Sequence, residues 1–120
     1  MLSVNAIILL LLTLLTVAHC PDPSWVVNDD RIDGIVLKEG RPWKHAAINL
    51  SSPARDYTAT TDKKGAFSMT NVAPGKYSLL IKGWGKAQLE LKGRNRVAPN
   101  RPVLEFSSSK GCLLLVSVAN

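Results

Sequence analysis

The chain has 120 residues with 46% hydrophobic content and a mean hydropathy of +0.07, which is the length of one ordinary domain and too apolar for a disordered chain. Fifteen Lys and Arg against nine Asp and Glu give a formal charge of +6, and none of these residues lies in the first 20 positions. More than one ordinary domain is excluded, and an uncharged N-terminal segment stands apart from a basic remainder.

From Ala6 to Val17 the chain is apolar apart from Thr13 and Thr16. Such a run matches a signal-peptide hydrophobic region and falls short of the roughly 20 residues that span a bilayer. Residues 1–20 are read as a signal peptide cut near Ala18-His19-Cys20, which addresses the chain to the secretory pathway, in the ER lumen or outside the cell. An uncleaved anchor and a lipid-bearing Cys20 are the competing readings, the second opposed by His19 where a small residue is wanted. Residues 21–30 follow as an N-terminal extension.

Beyond that point apolar residues recur at every second position in short runs, and no stretch keeps helical spacing over three turns, so strands are predicted and helices are not. Arg31 to Lys38 places Ile32, Gly34 and Val36 on one face, with Ile35 and Leu37 on the other; Glu39-Gly40-Arg41-Pro42 ends it. Ala46 to Ser51 turns Ala46, Ile48 and Leu50 inward. Tyr57, Ala59 and Thr61 share a face of a Thr-rich third strand. Asp62-Lys63-Lys64-Gly65 is a hairpin turn, with Asp62 supplying an Asx-type bond and Gly65 the left-handed position. Phe67 and Met69 point inward from the fourth strand. Pro74-Gly75 then fits the middle of a type II turn, within Asn71-Val72-Ala73-Pro74-Gly75.

Lys76 to Lys82 directs Tyr77, Leu79 and Ile81 inward, Gly83-Trp84-Gly85 breaks it, and Lys86 to Lys92 buries Leu89 and Leu91. A seventh strand lies around Val103 to Phe106. Seven short strands at about ten-residue spacing predict an all-β fold, a single immunoglobulin-like, prealbumin-like β-sandwich over 31–106, with a small barrel as the alternative. The tail, 107–120, is either a loose end or an extra edge strand. Cys112 is read as a lone buried cysteine within it, in preference to a Cys20–Cys112 bridge that requires Cys20 to survive processing.

Two cysteines and two histidines cannot assemble a zinc site, and no cofactor fingerprint occurs. No nucleophile elbow or metalloprotease motif is present. Asp29-Asp30, Asp33 and Glu39 read as solvated charge, and His45 as a turn residue without a partner acid. The chain is therefore expected not to be an enzyme.

The binding candidates are aromatic and basic. Trp43 and Trp84 could stack on sugar rings or anchor an interface, the plainer reading being that they plug the ends of the sandwich. Trp25 is the third indole. Residues from 76 onward carry the entire excess positive charge. Lys86 and Lys92 share the outward parity, and Arg94 and Arg96 extend the row if the strand continues. Such a face suits an anionic lipid, an acidic polysaccharide or an acidic partner, whereas nucleic acid is excluded by the secretory address. Asn49-Leu50-Ser51 is the only glycosylation sequon, with Asn49 outward.

The order Ile32-Asp33-Gly34-Ile35-Val36, Gly40-Arg41-Pro42, Ala47-Ile48-Asn49-Leu50, Thr61-Asp62-Lys63-Lys64-Gly65-Ala66-Phe67 and Val72-Ala73-Pro74-Gly75-Lys76-Tyr77 resembles the carboxypeptidase regulatory-like superfamily. The step from Asp-x-x-Gly-x-Phe to Pro-Gly-x-Tyr, with the spacing from Trp43 to Ala47, is most similar to the luminal domains of the subunit 7 family of the ER membrane protein complex. That resemblance implies a non-catalytic interaction module with a protein partner in a luminal or membrane complex. The wider superfamily implies the alternative, a secreted carbohydrate-binding or accessory domain with a glycan partner.

Overall fold

In the computed structural model, the described residues are 20–94, 102–109 and 111–118. Positions 1–19, and so nearly all of the signal-peptide reading, lie outside them, as does Arg96. Ten strands occur among the described residues, and no helix: β1 (Ser24–Val27), β2 (Ile32–Lys38), β3 (Arg41–Pro42), β4 (Ala47–Ser51), β5 (Asp56–Thr60), β6 (Ala66–Met69), β7 (Gly75–Ile81), β8 (Gly85–Leu91), β9 (Val103–Ser109) and β10 (Cys112–Val118). The all-β expectation is met. Three strands go beyond the seven expected. One is β3, made by the chain folding straight back through Glu39 and Gly40, both at positive φ (54° and 77°). The others are β1, within the residues set apart as an extension, and β10, within the tail.

The strands form two mixed sheets. The first has the order β1-β8-β7-β4-β5, antiparallel except for the parallel β1–β8 pair. The second has the order β10-β9-β2-β3, with β6 also on β2, and is antiparallel except for the parallel β2–β9 pair. Alternation decides which side chains meet: Ile48, Leu50, Tyr77, Leu79, Ile81, Leu89 and Leu91 of the first sheet share one buried cluster with Ile32, Val36, Phe67, Met69, Leu104 and Phe106 of the second.

Turn chemistry holds the register. Gly65 takes φ 76°, and Asp62 Oδ1 accepts from the N–H groups of Lys64 (2.8 Å) and Ala66 (3.0 Å), the expected Asx-type bond, but the expected hairpin is corrected: β5 pairs with β4 and β6 with β2, so the turn carries the chain from the first sheet to the second. These bonds hold the Asp62 carboxyl below its usual range, the Ala66 bond contributing most. The Asn71 to Gly75 turn differs from expectation. Asn71, not Gly75, takes the left-handed position (φ 56°), while Gly75 at φ 154° is already pairing with Leu91. Val72 is fully buried, its N–H bonded to Asp30 O at 2.8 Å. Two tyrosines pin the same turn: Tyr57 Oη accepts from Ala73 N at 3.1 Å and Tyr77 Oη donates to Ala73 O at 2.6 Å. The Ala73 N–H lowers the pKa of Tyr57, and burial raises that of Tyr77.

The preference for a lone Cys112 is corrected, because Cys112 is bridged to Cys20 with their Cα atoms 5.7 Å apart. The link is possible because β1 and β10 lie on the same flank of the two sheets: β1 borders β8, and Leu113 of β10 packs on Gly85 of β8, 3.2 Å from where a Cβ there would stand.

Candidate interaction surface

The structure brings Trp43 and Trp84 together. Trp43 follows β3, Trp84 tops the β7–β8 hairpin with its N–H on Ile81 O at 3.0 Å, and their rings meet edge to face at 5.0 Å and 70°. Both are half-buried against the core, and Lys38 Nζ stands 4.9 Å from the centroid of the Trp43 ring. Two indoles from opposite sheets thus close one end of the core, and Trp43 has neighbours where a sugar would stack. Trp25 also packs against the core.

Thr61 is what fixes the Trp43 backbone, a role the sequence reading did not assign. Its hydroxyl is buried, donates to Trp43 O at 2.6 Å and accepts from Ala46 N at 2.7 Å. The inward parity shared with Tyr57 and Ala59 signals burial, but the hydroxyl's partners lie 15 and 18 positions away in sequence.

The basic row is interrupted. β8 ends at Leu91, so Arg94 does not prolong it; its Nε instead lies 3.4 Å from Asp30 Oδ2. A side-chain hydrogen bond with Asp29, together with the Arg94 charge, lowers the Asp30 pKa. Lys86 and Lys92 are both exposed, about 20 Å apart at strand rise, and Lys92 Nζ pairs with Glu90 Oε1 at 2.9 Å. That pairing lowers the Glu90 pKa. Beside it, Ser24, Val26, Lys76, Gln88 and Glu90 line an open groove of about 570 Å³ across β1, β8 and β7. Its mixed charge makes no uniform anion site.

Asn49 sits in the middle of β4, a strand paired on both flanks, opposite Thr58 of β5 and Leu80 of β7. Its Oδ1 is buried without a hydrogen-bond partner among the described residues. The sequon is therefore part of a sheet and not of a loop. His45 sits in a turn at φ 56°, its N–H on Thr61 O at 3.0 Å. Among the described residues no group of three His, Cys, Asp or Glu is placed to hold a metal ion.

The surface that sequence reasoning missed is the outer face of the second sheet. Register aligns Leu114, Ser107, Leu37 and Pro42 in one row and Val116, Glu105, Ile35 and Ala66 in the next. Val118 and Val103 pair in a third. Ile35, Leu37 and Val103 are half-buried, while Leu114, Val116 and Val118 are 47%, 46% and 37% exposed. Glu105 is the charge at the centre. The signal lay in the sequence: Ile35 and Leu37 carry a second apolar parity on β2, which pays off only if something covers it. No family model, curated protein or solved structure matches the chain.

Proposed function

We propose that the chain is a non-catalytic interaction module of the secretory pathway, built as an immunoglobulin-like, prealbumin-like sandwich of the carboxypeptidase regulatory-like type. Its role is that of the luminal domains of the subunit 7 family: holding a protein partner in a membrane-associated complex. The observation that carries this reading is the apolar outer face of the second sheet, in which Ile35, Leu37, Val103, Leu114 and Val116 surround Glu105, with Asp33, ion-paired to Arg31 and bonded to Ser68, beyond Ile35 on the same face of β2. Contiguous exposed apolar area on a small domain marks a surface that another macromolecule covers. The Cys20–Cys112 bridge agrees with an oxidising compartment.

The glycan alternative is less supported, because Trp43 already contacts Trp84 and Lys38. The test is co-purification of the tagged full chain from membranes in mild detergent, beside Leu37→Glu. The expected result is a stoichiometric partner that Leu37→Glu loses while its melting transition is retained. Equal recovery with both chains, or none with either, refutes the reading.

A further inference from the structure

The sheet edges are protected unequally. In the first sheet, β1 has four residues and follows Pro21 and Pro23, and β5 opens at Asp56 directly after Arg55. On the far edge of the second, β3 has two residues including Pro42 and β6 has four. Shortness, proline and charge are how folded proteins keep an edge from recruiting another strand. The seven residues of β10, Cys-Leu-Leu-Leu-Val-Ser-Val, contain no charge, proline or glycine. Among the described residues its only strand partner is β9.

We propose that β10 pairs antiparallel with β10 of a second copy of this chain, across a two-fold axis centred on Val116, joining the two second sheets into one. This rests on the reading of the chain as an interaction module and goes beyond it, adding a contact at the strand edge that borders the partner surface. We centre the axis on Val116 because the Cys112 end of the strand is tied to Cys20, and 114–118 is the stretch away from that bridge. In that register Val116 faces its own equivalent, and Leu114 faces Val118 of the second copy, apolar on apolar, as an isologous contact requires.

Charge separates this arrangement from face-to-face stacking. A chain of formal charge +6 repels its copy at long range, but β10 itself is neutral. Glu105 lies one strand inward, opposite Val116. Edge pairing leaves the two Glu105 carboxylates three inter-strand spacings apart, about 14 Å, beyond the screening length of about 8 Å. Stacking the two outer faces needs a different axis, lying in the sheet plane, and with that axis along the row of Val116, Glu105 and Ile35 it would bring the carboxylates together. Edge pairing also leaves both outer faces open and continuous, so the partner surface of the proposed function is doubled.

The interface is small, and association on the order of micromolar is expected. The full chain, expressed through an oxidising secretory pathway, is measured by sedimentation over a concentration series beside Val116→Lys. The expected result is a monomer–dimer equilibrium that Val116→Lys weakens roughly tenfold or more, since a lysine on each strand then meets its own equivalent. Amide protection at 114–118 should rise with concentration in the wild type alone. A wild-type chain that stays monomeric at about 1 mM, where weak association is still measurable, overturns the proposal. So does a dimer that Val116→Lys leaves intact. A monomer that still captures a Leu37-dependent partner overturns the dimer and leaves the function standing. A dimer without such a partner does the reverse.

Discussion

Adding one methyl group at Gly34 tests how the core is locked. Gly34 is an inward position of β2, in register with Phe67 of β6. A Cβ there would overlap Cε1 and Cζ of Phe67 and come within 3.2 Å of Phe106 Cε2. The Phe67 ring has little room to withdraw, because it is 5% exposed and its centroid is 5.9 Å from that of the fully buried Phe106. Gly34→Ala is therefore an overpacking change expected to cost about 1–3 kcal/mol, outweighing the gain from removing a flexible glycine. Phe67→Ala removes the ring and should cost about 3–5 kcal/mol. In the double variant the new methyl enters space the ring has left. Its cost should fall short of the sum of the two by about 1 kcal/mol or more. Urea unfolding of the four proteins gives the cycle, and Gly34→Ala alone should lower the melting temperature by roughly 4–20 °C. Additivity within about 0.5 kcal/mol would show that the glycine is not there to admit the ring.

Thr61→Val keeps shape but leaves Trp43 O and Ala46 N without their hydroxyl partner, so a loss of about 2–3 kcal/mol is expected in thermal or urea unfolding, together with a change in tryptophan fluorescence. Cys112→Ser opens a bridge spanning 92 positions, for which chain entropy alone gives about 4–5 kcal/mol, read as the difference between oxidised wild type and variant in urea. The Asp62 carboxyl has a folded pKa below the ordinary 3.8, so its contribution is complete above that value and is lost as pH falls through the lower folded one. Asp62→Ala should accordingly be less stable at neutral pH and show a shallower loss of stability below pH 3.8 than wild type, as melts along an acid series would reveal.

Local features were legible where a short stretch of chain decides them. The inward sets Ile48-Leu50, Phe67-Met69 and Tyr77-Leu79-Ile81 follow from alternation alone, and Asp62 with Gly65 specifies its own turn, though not that the turn crosses between sheets. Val72 was read only as part of a turn; its side chain belongs to the core cluster, and its N–H donates to Asp30 O, 42 positions earlier. The meeting of Trp43 with Trp84, the bridge from Cys20 to Cys112 and the apolar outer face are likewise products of sheet order. Nothing in the local pattern says that β10 follows β9 onto the flank of β2, so Leu114 and Ile35 could not be assigned to one surface beforehand. The interrupted basic row has a local cause: Gly93 takes φ 97° just past the end of β8 and precedes Arg94.

The parallel pairing of β2 with β9 has a consequence in time. Register sets Gly34 beside Leu104, 70 positions further along the chain. At synthesis rates of about 5–20 residues per second, β2 emerges some 4–14 s before the strand that completes its flank. During that interval the β2 backbone can be paired only by β3 and β6, which occupy the other side. The second sheet therefore closes last, from the C-terminal end. Until it does, the nascent chain offers an open strand edge to the folding machinery of whatever compartment it enters, and a chain halted before Leu104 would leave that edge unpaired.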